Sequence, residues 1–275
     1  MGERPRYTGV FERLDAEYHM VTFDGPLPDF YRRDIEEEQW SALDGPVAGE
    51  RAVFGSPVEA AALVQAFAIS AGADLVGTTV LHDHIVFEGV DIPHGWAVSL
   101  AMEMDYSRII TAPEPPSAQE VLRVYWRLGW VVCRTAAFIR SLGYPATAHH
   151  PRASTGRPPT VLHTMAAIEA GLGELGRNGL VITEEFGPRI RFGTVTTDLP
   201  LPEGGRREFG VDRFCRRCHV CEEHCEDGAI PAAKTIVRGF EKYTIDPDRC
   251  LRNFARYDGC NICVARCLFN RRPDA

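Results

Sequence analysis

Cysteine is nearly missing from the first 214 residues. Cys133 stands alone there, inside the apolar stretch "WVVCRTAAFI". A lone thiol in such surroundings is expected to be a small buried core residue. An excess of positive charge is lacking too: 30 Lys and Arg face 38 Asp and Glu, for a formal net charge of −8. That balance argues against nucleic acid as the main partner, because phosphate binding needs a basic surface. No run of about 18 apolar residues occurs, so no membrane span is expected. The opening "MGERPRYTGVFERLDAEYHM" has no apolar signal core and no twin arginine, which points to the cytoplasm. The first 205 residues hold no internal repeat, and there is no low-complexity tract.

What is present is a chain of alternating elements that ends in a dense run of thiols. Residues 1–55 lack periodicity and are punctuated by Gly, Pro and Asp, so a loop-rich N-terminal segment is expected. At "SPVEAAALVQAFAISAGA", Ser56 suits an N-cap, Pro57 the first helical position and Glu59 a capping box. A second box is read at Ser117 and Glu120, opening a helix that stops at Gly143. "ADLVGTTVL", "GWAVSLAMEM", "PATAH" and "PRIRFGTVTT" read as strands, and "TVLHTMAAIEAG" as a further helix. Strands interleaved with helices over residues 56–205 predict a layered α/β (α+β) domain. The Gly- and charge-rich "LPEGGRREFG" marks the boundary to a module at 206–275.

Eight of the nine cysteines fall in the last 61 residues. Cys215, Cys218, Cys221 and Cys225 are 3, 3 and 4 apart, and Cys260, Cys263 and Cys267 repeat the end of that run. In a reducing compartment such clusters are metal ligands more often than disulfides. The pattern resembles the bacterial two-cluster ferredoxin arrangement, in which the fourth cysteine of each run serves the other cluster. That resemblance implies two [4Fe–4S] clusters, one on Cys215, Cys218, Cys221 and Cys267, the other on Cys225, Cys250, Cys260 and Cys263. A pair of zinc sites would also use eight thiols, but the spacing matches paired zinc knuckles poorly. Glu226 and Leu268 stand where ferredoxins usually have proline. His219 and His224, between the thiols, read as exposed polar neighbours.

"GLGELG" at 171–176 matches the dinucleotide-binding fingerprint, but it follows a helix where that motif must follow a strand. The glycines read better as positions where backbone approaches a large flat ligand, or as a plain helix stop and turn. "HDH" at 82–84 invites a metal reading; two loop histidines are more often simply polar.

"AGLGELGRNGLVITEEFGPRIRFGTVTTDLPL", "FCRRCHVCEEHC" and "CNICVARC", in that order, resemble the cobalamin-dependent iron–sulfur reductases. "GADLVGT", "AMEMDYSRIITAPEPPS" and "FIRSLGY" resemble the reductive dehalogenases in particular. The resemblance spans roughly residues 60–270. It implies a nitroreductase-like corrinoid-binding domain holding base-off cobalamin, joined to a two-[4Fe–4S] ferredoxin-like module that feeds electrons to cobalt. Gly171, Gly173, Gly176, Arg177, Asn178 and Gly179 would then line the corrinoid. Tyr125, 14 positions before Ile139 of "FIRSLGY", aligns with the family's tyrosine and would donate a proton. Arg191 of "GPRIR" aligns with its arginine and would favour the tyrosinate left behind.

The family often has an Asn shortly after "LGY"; here His149 and His150 are the candidates for its place. Epoxyqueuosine reductases, relatives by superfamily, use an aspartate before the glycine motif, and this chain has no Asp from 107 to 197. The leading expectation is a cytoplasmic oxidoreductase that dehalogenates a small organohalide. It would draw electrons from a separate ferredoxin, flavodoxin or reductase. The alternatives are a reductase of a non-halogenated substrate, or a non-catalytic protein that handles electrons or corrinoid.

Overall fold

The computed structural model describes residues 3–6, 26–152 and 157–272. The chain runs through α1 (Pro26–Asp34), α2 (Pro57–Ser70), β1 (Leu75–Val80), β2 (Trp96–Glu103), α3 (Tyr106–Ile109), α4 (Pro115–Ser141) and β3 (Ala146–His149). It continues through α5 (His163–Glu169), β4 (Glu174–Leu175), β5 (Val181–Ile182) and β6 (Ile190–Thr197). The cysteine module adds α6 (Val211–Cys215), α7 (Val220–Glu223), β7 (Thr235–Val237), β8 (Phe240–Lys242), α8 (Pro247–Arg256) and α9 (Ile262–Ala265).

The central sheet has the order β1-β2-β6-β3, and each neighbouring pair is antiparallel. The mixed α/β expectation therefore takes its α+β form. Successive strand residues point to opposite faces. Val98, Leu100, Met102 and Val195 pack with Val64 of α2 and Leu128, Val131 and Val132 of α4. Ala101, Ile190 and Phe192 pack on the other face with Ala167 and Ile168 of α5. Helices thus cover both faces, which explains why β2 and β6 are buried almost throughout. Gly193 is required by this packing: a Cβ there would sit 2.5 Å from Val132.

The first capping box forms, with the Ser56 hydroxyl accepting from Glu59 N at 3.2 Å. The second does not. Pro115 and Pro116 already start α4 behind Glu114, so Ser117 and Glu120 lie inside the helix, and both are buried. Glu120 instead accepts from Asp105 N at 2.7 Å and pairs with Arg123. The described part of the N-terminal segment also departs from the loop-rich expectation. α1 runs on through a π-turn at Ile35–Gln39 into a 3₁₀ turn at Trp40–Ala42, and packs on α4. Residues 7–25 of that segment lie outside the described residues. Cys133 is buried as expected, and burial pushes its thiol up to about 12.

Candidate functional site

The eight C-terminal thiols form two neighbourhoods of four. Cys221 lies near Cys215, Cys218 and Cys267, and Cys267 lies near Cys215 and Cys218. Cys263 lies near Cys250, Cys260 and Cys225. The chain crossing is therefore present: Cys225 and Cys267 each sit with the loop of the other half. Cys263 also neighbours Cys221, so the two groups adjoin. The first group lines one small cavity together with Ile182, Phe214, Val220 and Phe269. None of these thiols is in a disulfide. Burial pushes Cys221 up to about 12 and Cys250 and Cys267 up to about 11. Cluster assembly must therefore release protons as thiolates form. Cys225 Sγ accepts from Ala229 N at 3.2 Å, a bond that steadies the thiolate form. His219 bonds Glu222 and His224 bonds the Val220 carbonyl, so both rings are engaged with protein groups.

The glycine motif lies at the joint between domain and module. A Cβ on Gly173 would sit 2.5 Å from the Ile182 carbonyl, and Gly179 (φ +73°) faces Ile245. Gly171 and Gly176 are packed against Gly205 and Ile182 in the same way. Arg177 is 1% exposed and points into the first cysteine loop, bonding the carbonyls of Cys215 and Cys218. Asn178 donates to the Cys263 carbonyl at 3.4 Å. Residues 171–179 thus make close approaches and polar contacts to the cysteine module and its surroundings.

Tyr125 and Arg191 come together. Arg191 faces α4 from the end of β6, opposite Met102 in the register, and α4 presents Tyr125 to it. The guanidinium carbon lies 5.8 Å from the ring centroid. Arg191 donates to the Ile190 carbonyl at 3.1 Å and, at the limit of a hydrogen bond, to Asn261 Oδ1 at 3.5 Å. Its Nε is buried with no partner. Asn261, between Cys260 and Ile262, donates to Ser117 Oγ at 3.0 Å and so ties the second cysteine loop to the start of α4. Sequence reasoning missed Asn261, whose only local signal is its position beside a thiol. A cleft of about 700 Å³ opens where β2 runs into α3, lined by Met102, Glu103, Asp105, Tyr106, Arg123 and Arg127.

His149 and His150 are buried and form part of a polar network under the sheet. His149 bridges Thr160 and Thr196 at 2.7 and 2.9 Å, and His163 bonds Thr194 at 2.9 Å. His150 Nε2 bonds Gln39 Oε1 at 2.9 Å. Burial pushes His149 and His150 down to about 3 and His163 down to about 4. Burial therefore favours the neutral imidazole at all three. Gln39 continues to Asp34, whose Oδ2 also accepts from the indole N–H groups of Trp126 and Trp130 at 2.7 and 2.8 Å. His84 of "HDH" bonds Glu169 at 2.6 Å in a half-buried pair shared with Arg206.

Two layers of helix on an antiparallel sheet, joined to paired four-cysteine loops, define an α+β domain carrying an iron–sulfur dicluster module. Residues 214–270 match the family model of the 4Fe–4S dicluster domain. The chain is 37% identical over 188 residues to a tetrachloroethene reductive dehalogenase of Desulfitobacterium hafniense, covering 63% of this chain and 33% of that protein. A solved reductive dehalogenase, described in connection with B12-dependent dehalogenation, superposes with a TM-score of 0.80 at 25% identity over 88% of this chain and 37% of its own. An epoxyqueuosine reductase of Salmonella typhimurium is 30% identical over 128 residues, 40% of this chain and 30% of that protein. The chain resembles reductive dehalogenases over part of their length. It spans about a third of the length of the dehalogenase it matches. No helix among the described residues is long and apolar enough to cross a membrane.

Proposed function

We propose that this chain is a corrinoid-dependent reductive dehalogenase, with electrons relayed through two [4Fe–4S] clusters to a base-off cobalamin in a nitroreductase-like α+β domain. The thiol neighbourhoods fit two cubanes. Each offers four cysteines, as a cubane needs. We assign Cys215, Cys218, Cys221 and Cys267 to one cluster and Cys225, Cys250, Cys260 and Cys263 to the other. The residues at the inner end also fit a cofactor site, because Arg191 keeps a buried donor unused beside the second cysteine loop.

The corrinoid, when bound, would supply the strongly reducing metal centre that breaks the carbon–halogen bond. The net change per halide released is two electrons and one proton taken up by the substrate carbon. Tyr125 Oη is the proton source. Arg191, held over the ring, stabilises the tyrosinate until a solvent proton restores it. Positioned proton donation of this kind is worth about 10²–10⁴-fold in rate. The observation that carries the reading is the Tyr125–Arg191 pair, 5.8 Å apart and joined through Asn261 to a cysteine loop.

The electron donor is a separate low-potential protein such as a ferredoxin or flavodoxin, and a reducing cytoplasm suits so many free thiols. The test is anaerobic reconstitution with iron, sulfide and cobalamin, followed by halide release from organohalides. Tyr125→Phe is expected to retain cobalamin and lose at least about 10²-fold in turnover. Full turnover by that variant would remove Tyr125 from the reaction.

A further inference from the structure

Arg177 takes no part in the proposed reaction, yet it is among the most deeply buried charges in the described chain. Its Nε donates to the Cys215 and Cys218 carbonyls at 3.1 and 2.9 Å, and its Nη2 to the Cys215 carbonyl at 2.8 Å. Its Nη1 donates to Glu222 Oε2 at 2.9 Å and to the Pro231 and Ala232 carbonyls at 3.1 and 2.8 Å. The guanidinium lies 4.5 Å from the ring centroid of Tyr243. It also lines the small cavity closed by Cys215, Cys218, Cys221 and Cys267. Three of its bonds hold the backbone of two of those four cysteines, so it shapes the loop and places a fixed positive charge at the cavity wall.

Charge interactions in such a dry place are far less screened than in water. Reducing a cluster there makes and breaks no bond. It adds one electron, and hence one negative charge, from an external one-electron donor. A buried cation at the wall favours the reduced form, and a carboxylate beside it opposes that effect. Glu222, 25% exposed, is that carboxylate, and it also bonds His219 at 2.7 Å. Asn178, the next residue, reaches the carbonyl of Cys263 in the other group, whereas none of the bonds of Arg177 does.

We propose that Arg177 is a positioning residue that sets the reduction potential of the cluster on Cys215, Cys218, Cys221 and Cys267, raising it relative to its neighbour, with Glu222 as the opposing charge. The proposal rests on the dicluster reading of the module and is independent of corrinoid and substrate.

The experiment is an EPR-monitored redox titration of the anaerobic, reconstituted full chain, using dithionite as reductant. Cys218→Ser identifies the signal of the first cluster. Arg177→Gln is expected to move that cluster to a more negative potential and leave the second within error. Glu222→Gln is expected to move the same cluster the opposite way, and Arg177→Lys to lie between the wild type and Arg177→Gln. A purely structural role predicts no opposition of sign, so equal shifts of both clusters, no shift, or shifts of the same sign in the two charge variants would overturn it. Should Arg177→Gln lose its first cluster, Glu222→Gln alone decides by the direction of its shift. Failure of cobalamin binding leaves these titrations readable, so the fate of the dehalogenase reading is scored separately.

Discussion

Arg191, partly buried, differs from the fully buried Arg177 and Arg189 in what it leaves unbonded. Arg177 bonds five protein groups, and Arg189 is held by Glu103, the Met104 carbonyl and Asn270 Oδ1. Arg191 has one short bond, one long one and an orphan Nε. A buried donor without a partner costs about 1–3 kcal/mol, a cost that a ligand at this point would relieve. Arg191→Lys keeps the charge and loses the planar fork. Steady-state halide release by this variant is expected to fall at least about tenfold while Tyr125 stays in place, and unchanged kinetics would show that the fork is unused. Close packing makes a second prediction. A Cβ on Gly129 would lie 2.0 Å from Gln39 Oε1 and 2.1 Å from His150 Nε2. Gly129→Ala is therefore expected to destabilise by about 2 kcal/mol, read as a lowered melting temperature. Tyr125 and Arg191 were singled out by the family resemblance and lie side by side. The bonds of Arg177 to the first cysteine loop were not legible, because a motif says which residues belong together and not which way a side chain turns.

At the scale of elements, the strands and the helix stops were legible because short apolar runs and glycine punctuation are local. Pairing direction was not, because β2 and β3 find β6 across long stretches of chain. The start of α4 was misread because Ser117 and Glu120 have capping-box spacing, while the Pro115–Pro116 pair opens the helix earlier. Glu120→Ala would strand Asp105 N and Arg123, and is expected to cost about 3 kcal/mol, measured by denaturant unfolding. β3 ends in His149, His150 follows it, and His163 opens α5. Their folded pKa values, about 3 for His149 and His150 and about 4 for His163, lie below the ordinary value of about 6.5 for an unfolded chain. The unfolded chain therefore binds more protons between these limits, and stability rises with pH. The contribution is complete above about pH 6.5 and is lost as pH falls toward 4, at up to about 1.4 kcal/mol per pH unit for each imidazole. Anaerobic melts at pH 7.5 and 5.5 are expected to show a drop that is smaller in His163→Gln; an equal drop would mean that His163 does not titrate on unfolding.

Across the whole molecule, the cysteine module is clamped to the α+β domain along its length. Arg189 reaches Asn270, Arg191 reaches Asn261, and Asn261 reaches Ser117. The Phe269 carbonyl would lie 2.1 Å from a Cβ at Gly187, so backbone meets backbone there. This joint was not legible in the sequence, because its partners lie 70 or more residues apart in the chain. The joint places the second cysteine loop beside the Tyr125–Arg191 pair. The most direct test is anaerobic reconstitution of the full chain, followed by iron and cobalt analysis with EPR. The account predicts about eight irons, one base-off corrinoid, and loss of halide release in Tyr125→Phe with both cofactors retained. A protein that takes up eight irons but shows no base-off corrinoid would contradict it.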